Sequence, residues 1–308
     1  MYERTVIQVQ LLLSAPDLSS CLDLSGQLLF SIIIFCQGVI LLLQIGMPTL
    51  IETSALLECA TFCSELGLDF IELNMNLPQY QLHMLDVPSL KETGDRYGIF
   101  YTIHLDENLN VSDFNPYIAD GYRRTVSETI QLAKRLDIPI INMHLPRGVY
   151  FTLPNKKVFL FSEYKETYLK SIYDFRTMCE KAIGDSGITI CIENCDGFLP
   201  FQREAVDILL QSGVFGLTFD IGHNLSCGNL DEPFIMQNKT HLRHMHMHDA
   251  AGKKNHLALG TGELDLHHYL TLAQELQCRI VLETKTIDGL KQSVSWLKNH
   301  WNNFDQMR

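Results

Sequence analysis

From about residue 40 to the C-terminus, short apolar runs alternate with longer segments of helical spacing, and this alternation constrains the fold most. Eight runs have the length and composition of buried strands, at 42–47, 69–73, 99–104, 138–144, 188–193, 216–221, 243–248 and 279–283. Apolar residues recur with helical spacing between them, at 54–66, 117–136, 162–183, 203–211, 267–276 and 290–300. Strands separated by helices pair in parallel, because a parallel connection needs a long crossover.

Eight such units in roughly 265 residues predict an α/β fold, the closed (β/α)8 or TIM barrel. A doubly wound open sheet is the competing architecture, but no glycine-rich phosphate-binding turn follows an early strand. Residues 39–308 contain no linker and no low-complexity run. We therefore expect them to form a single barrel domain.

Residues 1–38 differ in character from the rest of the chain. The run 28–43 is the most apolar stretch, which is the composition of a membrane span. Arg4 is the only basic residue before it, so the positively charged flank of a signal sequence is weak. The last residues of this run are needed for the first strand of the barrel. The residues that remain would, as a helix, span only about half the thickness of a bilayer. We expect an apolar N-terminal extension, or a start placed too far upstream, and no membrane anchor.

The charge balance and the cysteine count bear on partners and compartment. The chain has 36 acidic and 24 basic residues, a formal net charge of −12. Such a surface repels a phosphate backbone, so we expect no nucleic-acid partner. Nine cysteines are an odd number and too few to staple 308 residues. They indicate reduced thiols and a cytoplasmic protein.

Polar residues occupy the inward face at the ends of seven predicted strands. In a barrel the chemistry collects at the C-terminal ends of the strands. Side chains alternate along a strand, so the outward isoleucines of 188–193 turn Glu193 inward. The same alternation turns a further group of strand-end residues inward, namely Glu72, His104, His144, Asp220, His246 and Glu283. A single strand-end residue of this kind is usually structural, but so many converge here that they predict a site.

A cation in that site follows from electrostatics. Buried acids at this density repel one another and lose hydration unless something positive lies among them. Glu193, Asp220, His246 and Glu283 lie at or near the ends of the last four predicted strands and supply three carboxylates and one imidazole. This oxygen-rich set suits one divalent metal ion, with manganese favoured and magnesium, cobalt or zinc as alternatives.

Several short motifs occur in an order and spacing typical of one superfamily. They are 45–48 (IGMP), 66–72 (LGLDFIE), 192–194 (IEN), 219–223 (FDIGH), 244–249 (HMHMHD), 259–262 (LGTG) and 282–284 (LET). With these motifs the chain resembles the xylose isomerase-like barrel superfamily over residues 40–308. That superfamily includes sugar-phosphate isomerases and epimerases, ketose 3-epimerases, inosose dehydratases and endonuclease IV.

The resemblance implies roles for individual residues. Glu193, Asp220, His246 and Glu283 match the shared metal ligands, and Glu193 and Glu283 are also the expected acid–base pair. The histidines that match substrate-facing positions are His104, His144, His223 and His256, and we add the inward Glu72 to the substrate-binding set. In the nuclease branch a carboxylate precedes the residue matching His256 by two positions. Lys254 stands there in this chain, so a trinuclear zinc cluster would lack one carboxylate.

The resemblance therefore implies a metal-dependent sugar or sugar-phosphate isomerase or epimerase that transfers a proton through an enediolate. The alternatives are an endonuclease IV-like enzyme acting at abasic sites, a dehydratase of the inosose type, and a barrel that only binds its ligand. The expected partner is a small sugar or polyol, and related barrels often form homo-oligomers. The loop 146–157, rich in aromatic and basic residues, is either a lid over the barrel mouth or a solvated loop.

Overall fold

The computed structural model describes residues 43–53 and 55–301. The prediction of an extension at 1–38, and nearly all of the apolar run at 28–43, lies outside these residues. Among the described helices, none is both long and apolar enough to cross a membrane.

The described residues form twelve strands, eight of which close a barrel. In chain order the strands are β1 (Ile45–Pro48), β2 (Phe70–Asn74), β3 (Phe100–His104), β4 (Ile140–His144), β5 (Tyr150–Thr152), β6 (Lys157–Phe159), β7 (Thr189–Glu193), β8 (Phe215–Asp220), β9 (Leu242–Met247), β10 (Asp249–Ala251), β11 (Lys254–Leu257) and β12 (Arg279–Leu282). The closed barrel has the order β1-β12-β9-β8-β7-β4-β3-β2, and its paired strands run parallel. The predicted (β/α)8 barrel is therefore confirmed. The remaining strands form two antiparallel hairpins, β5–β6 and β10–β11.

Helices connect the barrel strands and pack around them. They are α1 (Leu56–Leu66), α2 (Val87–Tyr97), α3 (Pro116–Leu136), α4 (Leu160–Glu163), α5 (Lys165–Ile183), α6 (Pro200–Leu210), α7 (Ile221–Ser226), α8 (Glu232–Gln237), α9 (Leu266–Leu276) and α10 (Ile287–His300). Short polar side chains begin several of them, because they accept a hydrogen bond from an unpaired backbone N–H of the first turn. Asp86 does so for α2, Asn115 for α3 and Thr286 for α10.

The barrel interior is filled in layers, and the layers determine the height at which each polar residue lies. Phe70 and Phe100 stack in register near the N-terminal end, with ring centroids 5.0 Å apart. Gly46 of β1 leaves room for the Phe70 ring, since a Cβ there would lie 2.5 Å from it. Polar residues occupy the interior layers above these two stacked rings. The outward faces of the strands carry the apolar core against the helices.

The loop at 146–157 contains the first strand and the start of the second strand of the β5–β6 hairpin. The hairpin begins after the end of β4, at the C-terminal face of the barrel. Its apolar residues are largely exposed, with Val149 61% and Phe151 57% accessible to solvent. Arg147 lies just before the hairpin. Its guanidinium donates hydrogen bonds to the backbone carbonyls of Asp196 and Gly197.

Candidate active site

A cavity of about 420 Å³ opens at the C-terminal ends of the barrel strands. Four of the five residues predicted to contact a substrate line it, namely His104, His144, His223 and His256. Glu193 and Glu283 also line the cavity. These predicted site residues therefore lie together at the C-terminal end of the barrel.

The four predicted metal ligands converge at the floor of this cavity. Glu193 ends β7, Asp220 ends β8, His246 lies in β9, and Glu283 directly follows β12. One ligand atom from each lies within 4.8 Å of the other three, and all four residues are buried. The Nδ1 atom of His246 is 3.1 Å from Glu193 Oε1, 3.3 Å from Glu283 Oε2 and 3.9 Å from Asp220 Oδ2.

The protonation of His246 indicates what this group of donors needs. Its Nδ1 is hydrogen-bonded to Glu193 Oε1 at 3.1 Å, and an ionised carboxylate only accepts hydrogen bonds, so Nδ1 carries a proton. Its Nε2 lies 2.9 Å from Glu72 Oε1 but makes no hydrogen bond. Burial lowers the pKa of His246, but Glu193, Glu72 and Glu283 outweigh burial and raise the pKa well above its usual range. In this structure the proton on Nδ1 places positive charge between the carboxylates, and a divalent cation would fit the same place.

The carboxylates of the group are correspondingly held in their ionised form. Burial alone would raise the pKa of Glu193, but His246 and His144 outweigh it, so the pKa lies well below the usual range. The pKa of Glu283 is lowered in the same way, chiefly by His246. Both carboxylates are therefore available to bind a cation or to accept a proton.

Glu72 lies beneath the cavity and not on its surface. The sequence predicts substrate contact for it, whereas its side chain is buried and hydrogen-bonded within the barrel. Its Oε2 accepts from His244 Nε2 at 2.9 Å and from Thr102 Oγ1 at 3.1 Å, while Oε1 faces His246. Glu72 thus lies directly below His246 as its ion-pair partner, in the place that outer carboxylates commonly take beside metal-binding histidines. His244, two residues before His246 in the same strand, is a buried core histidine.

Two imidazoles and an amide surround the second oxygen of Glu193. Oε2 lies 3.3 Å from His104 Nε2 and 3.1 Å from His144 Nε2, and Asn142 Nδ2 also donates to it. The Nδ1 atom of His104 is 2.7 Å from the carbonyl of Leu105, so Nδ1 is a donor. Burial lowers the pKa of His104, but its hydrogen bond to Glu193 outweighs burial and raises the pKa to about 9. His104 therefore carries both protons at neutral pH.

A second group of histidines borders the site on the side of the β10–β11 hairpin. Nitrogen atoms of His223, His248 and His256 lie within 4.8 Å of one another. The Nδ1 atom of His256 donates to the carbonyl of Glu283 at 3.1 Å, and burial lowers the pKa of His256 to about 4. His256 also has a left-handed backbone, with φ of 54°. This residue is thus a neutral imidazole held in an uncommon conformation.

Sequence reasoning missed two residues of the site. Lys285 lines the cavity, and its Nζ donates to Glu283 Oε1 at 2.9 Å. Lys285 follows Glu283 by two positions, so strand alternation extended past the strand end would have found it. His248, for which the sequence predicts no role, directly follows β9 and contacts the carboxylate of Asp220. Lys254, which stands where the nuclease branch has a carboxylate, is exposed.

The chain is similar to known proteins over most of its length. A family model described as xylose isomerase-like TIM barrel matches residues 60–300. The uncharacterized protein MJ1614 of Methanocaldococcus jannaschii is 25% identical over 213 residues, which cover 67% of this chain and 80% of that protein.

Solved structures with the same barrel include two proteins named for epimerase activity and one named as a dehydratase. A D-tagatose 3-epimerase-like protein has a TM-score of 0.70 and 23% identity, over 86% of this chain and 99% of that one. The 3-keto-D-glucoside 4-epimerase of E. coli has a TM-score of 0.67 and 15% identity, and the match covers 83% of this chain and 99% of that one. The probable 3-DHS dehydratase of Bacillus anthracis has a TM-score of 0.64 and 14% identity, over 84% and 100%. At these identities the likeness establishes the fold.

Proposed function

The chain belongs to the xylose isomerase-like TIM barrel family, and on that premise we propose that it is a metal-dependent sugar or sugar-phosphate isomerase or epimerase. The observation that carries the proposal is the group of three buried carboxylates and one imidazole at the floor of the cavity. Glu193, Asp220, His246 and Glu283 would hold one divalent ion, for which we favour manganese over magnesium, cobalt or zinc.

The chemistry divides between the ion and the two glutamates. When bound, such an ion polarises a carbonyl and its neighbouring hydroxyl, which acidifies the C–H bond between them. Glu193 and Glu283 have lowered pKa values and are ionised when the substrate arrives. One carboxylate then removes the proton from this carbon and the other returns a proton to it. Lys285 holds Glu283 Oε1 in place by its hydrogen bond.

A dehydratase is the second candidate, and His104 is the observation that favours it. Loss of a hydroxyl group begins with the same proton abstraction but also needs an acid to protonate the leaving group. His104 lines the cavity and, with a pKa raised to about 9, holds a proton at neutral pH. Solvent exchange without loss of water would favour the epimerase, and loss of water would favour the dehydratase.

The nuclease alternative has less support. The histidine group that borders the site contains three imidazoles and no carboxylate, and Lys254 is exposed. The net charge of −12 also disfavours a DNA partner. We propose a small sugar or polyol as the partner, while a cytoplasmic location and a homo-oligomer stay predictions from the sequence.

The experiment that tests the proposal is deuterium uptake from heavy water. Mn²⁺-loaded protein is incubated with free and phosphorylated ketoses, aldoses and inososes, and label is located by NMR. We expect label at a single carbon of one substrate. Glu283→Gln keeps an oxygen near the metal but removes the base, so exchange should fall about 100-fold or more. Glu275→Gln makes the same chemical change at an exposed site and serves as the matched control.

Two outcomes would contradict the proposal. A Glu283→Gln variant with near wild-type exchange would refute the two-glutamate scheme. A protein that holds Mn²⁺ but labels no substrate would indicate hydrolysis or simple binding. An oligonucleotide with one abasic site then separates these two, since only the nuclease would cleave it.

A further inference from the structure

His248 directly follows β9 and is completely buried behind the proposed metal ligand Asp220. Its Nε2 lies 3.1 Å from both carboxylate oxygens of Asp220. Its Nδ1 lies 2.7 Å from the backbone nitrogen of His256 and 3.3 Å from the carbonyl oxygen of Asp249. The shortest contact of each ring nitrogen is therefore with a different partner.

These two contacts determine which ring nitrogen carries the proton. A backbone N–H can only donate, so at the shorter contact the Nδ1 atom of His248 accepts from His256, and the longer contact with the Asp249 carbonyl is not a hydrogen bond of the neutral ring. In the neutral ring the proton is then on Nε2, where it is donated to the carboxylate of Asp220. Neither nitrogen retains a free lone pair, so His248 could bind a metal ion only by losing the bond from His256 at Nδ1 or the bond to Asp220 at Nε2.

Gly222 provides the space that the His248 ring occupies. A Cβ at position 222 would lie 2.0 Å from His248 Cε1 and 2.2 Å from its Nδ1. Asp220 is also held from the other side, where its Oδ1 accepts from the backbone N–H of His223 at 2.6 Å. The carboxylate of Asp220 is thus fixed by one side chain and one backbone group.

An alternative reading is that His223, His248 and His256 bind a second ion, since their nitrogens lie within 4.8 Å of one another. The hydrogen bonds of His248 argue against this reading. Resting on the proposed function, we infer that His248 is a positioning residue that orients Asp220 for metal binding and is not itself a ligand. Outer hydrogen-bond partners of this kind typically contribute 10- to 100-fold to metal affinity.

The test compares two amide variants in the full-length protein. The side-chain nitrogen of glutamine lies near the position of imidazole Nε2, whereas that of asparagine lies near Nδ1. His248→Gln should therefore retain the bond to Asp220 and bind Mn²⁺ within about threefold of wild type. His248→Asn should bind about 10- to 100-fold more weakly. His268→Asn makes the same change at an exposed histidine and should leave the affinity unaltered.

Gly222→Ala tests the same contact without changing any polar group. The added methyl group displaces the His248 ring, so Mn²⁺ affinity should again fall about 10-fold or more. In the double variant Gly222→Ala/His248→Asn the smaller side chain relieves the clash, and the two losses should not add. Mn²⁺ affinity and stoichiometry are measured by titration calorimetry, and the EPR spectrum of bound Mn²⁺ reports distortion of the site. Urea unfolding of the metal-free variants separates a loss of fold from a loss of ligand orientation.

Each outcome decides between the readings. Wild-type protein that binds two Mn²⁺ ions, with one lost in His248→Gln, would make His248 a ligand and overturn the inference. Folded His248→Asn and Gly222→Ala variants with unaltered affinity would also overturn it, while leaving the proposed function intact. Wild-type protein that binds no Mn²⁺ would overturn the metal-dependent function and this inference together.

Discussion

Protons on buried histidines should stabilise the metal-free protein, and this makes its stability depend on pH in a defined direction. His104 is the residue for which the effect can be worked out, because its pKa is raised from the ordinary 6.5 to about 9. The cause is its hydrogen bond to Glu193, which outweighs burial. A raised pKa means that the folded state holds the proton more tightly than the unfolded state. The stabilisation is therefore complete below about pH 6.5 and is lost as the pH rises through about 9.

The size of the effect follows from the same values. At about 1.4 kcal/mol for each pH unit between the folded and unfolded pKa, His104 contributes about 3 kcal/mol to the free energy of unfolding. Its side chain is only 6% exposed, so solvent screens the pair with Glu193 very little. A loss of this size is a large part of the net stability of a typical domain.

Urea unfolding in the presence of EDTA, at several pH values between 6 and 9.5, measures this loss. We expect the free energy of unfolding of the metal-free wild type to fall by about 3 kcal/mol more than that of His104→Gln over this range. Saturating Mn²⁺ should oppose the fall, because a bound ion replaces the protons and stabilises the folded state by about 2.7 kcal/mol at 100 times its dissociation constant. A metal-free wild type whose stability relative to His104→Gln stays constant or increases between pH 6 and 9 would refute the reasoning.

Three further predictions concern the interior, the β10–β11 region and the cavity. Gly46→Ala places a methyl group 2.5 Å from the buried Phe70 ring, so the free energy of unfolding in urea should fall by about 1–3 kcal/mol; an unchanged midpoint would contradict the layered packing. Asp249→Ala removes the acceptor of four backbone N–H groups, which should cost about 3 kcal/mol in the same assay, and a loss below about 1 kcal/mol would count against these bonds. Burial and the charge of Glu193 raise the pKa of the Cys195 thiol well above its usual range. Iodoacetamide should therefore label Cys195 at pH 8 more slowly than it labels free cysteine, and equal labelling rates in peptide mapping would contradict this environment.

Strand alternation was sufficient to predict the barrel and the four proposed ligands, because burial imposes a period of two on each strand. The predicted strands agree with the observed ones to within a few residues at their ends. Glu193 is the last residue of β7 and faces Thr218 and His144 across the neighbouring strands. Such a residue reaches the cavity floor, as its predicted role requires.

Glu72 shows what alternation cannot reveal. The pattern identifies the face of a strand but not the height of a residue in the barrel, which depends on the register between strands. Glu72 pairs with Thr102, and it is Asn74, two residues later, that pairs with His104. Glu72 therefore lies one interior layer below the histidines with which the sequence grouped it. Its carboxylate meets His244 and His246 there instead of the cavity.

Two of the elements that the sequence did not predict depend on local polar contacts. Helix α2 begins at Asp86, whose carboxylate accepts from the backbone N–H of Ser89. The β10–β11 hairpin is held by Asp249, which binds the backbone of the following turn. Neither element has a long apolar period, so hydrophobic spacing alone gives no signal for them. The hairpin nevertheless places His256 at the cavity, so hydrophobic spacing does not predict this part of the site.

A neighbouring side chain contacts each of the four proposed ligands, and this has a consequence for the metal-free state. Glu72 contacts His246, Asn142 donates to Glu193, His248 contacts Asp220, and Lys285 donates to Glu283. The barrel therefore supplies each proposed ligand with a partner that orients it. In small zinc domains the reverse holds, since no site exists before the metal binds and chelation unfolds the chain. We accordingly expect EDTA-treated protein to keep its far-UV circular dichroism at pH 7 and to regain Mn²⁺ without refolding. Loss of secondary structure on chelation at that pH would show that the ligands depend on the ion for their placement.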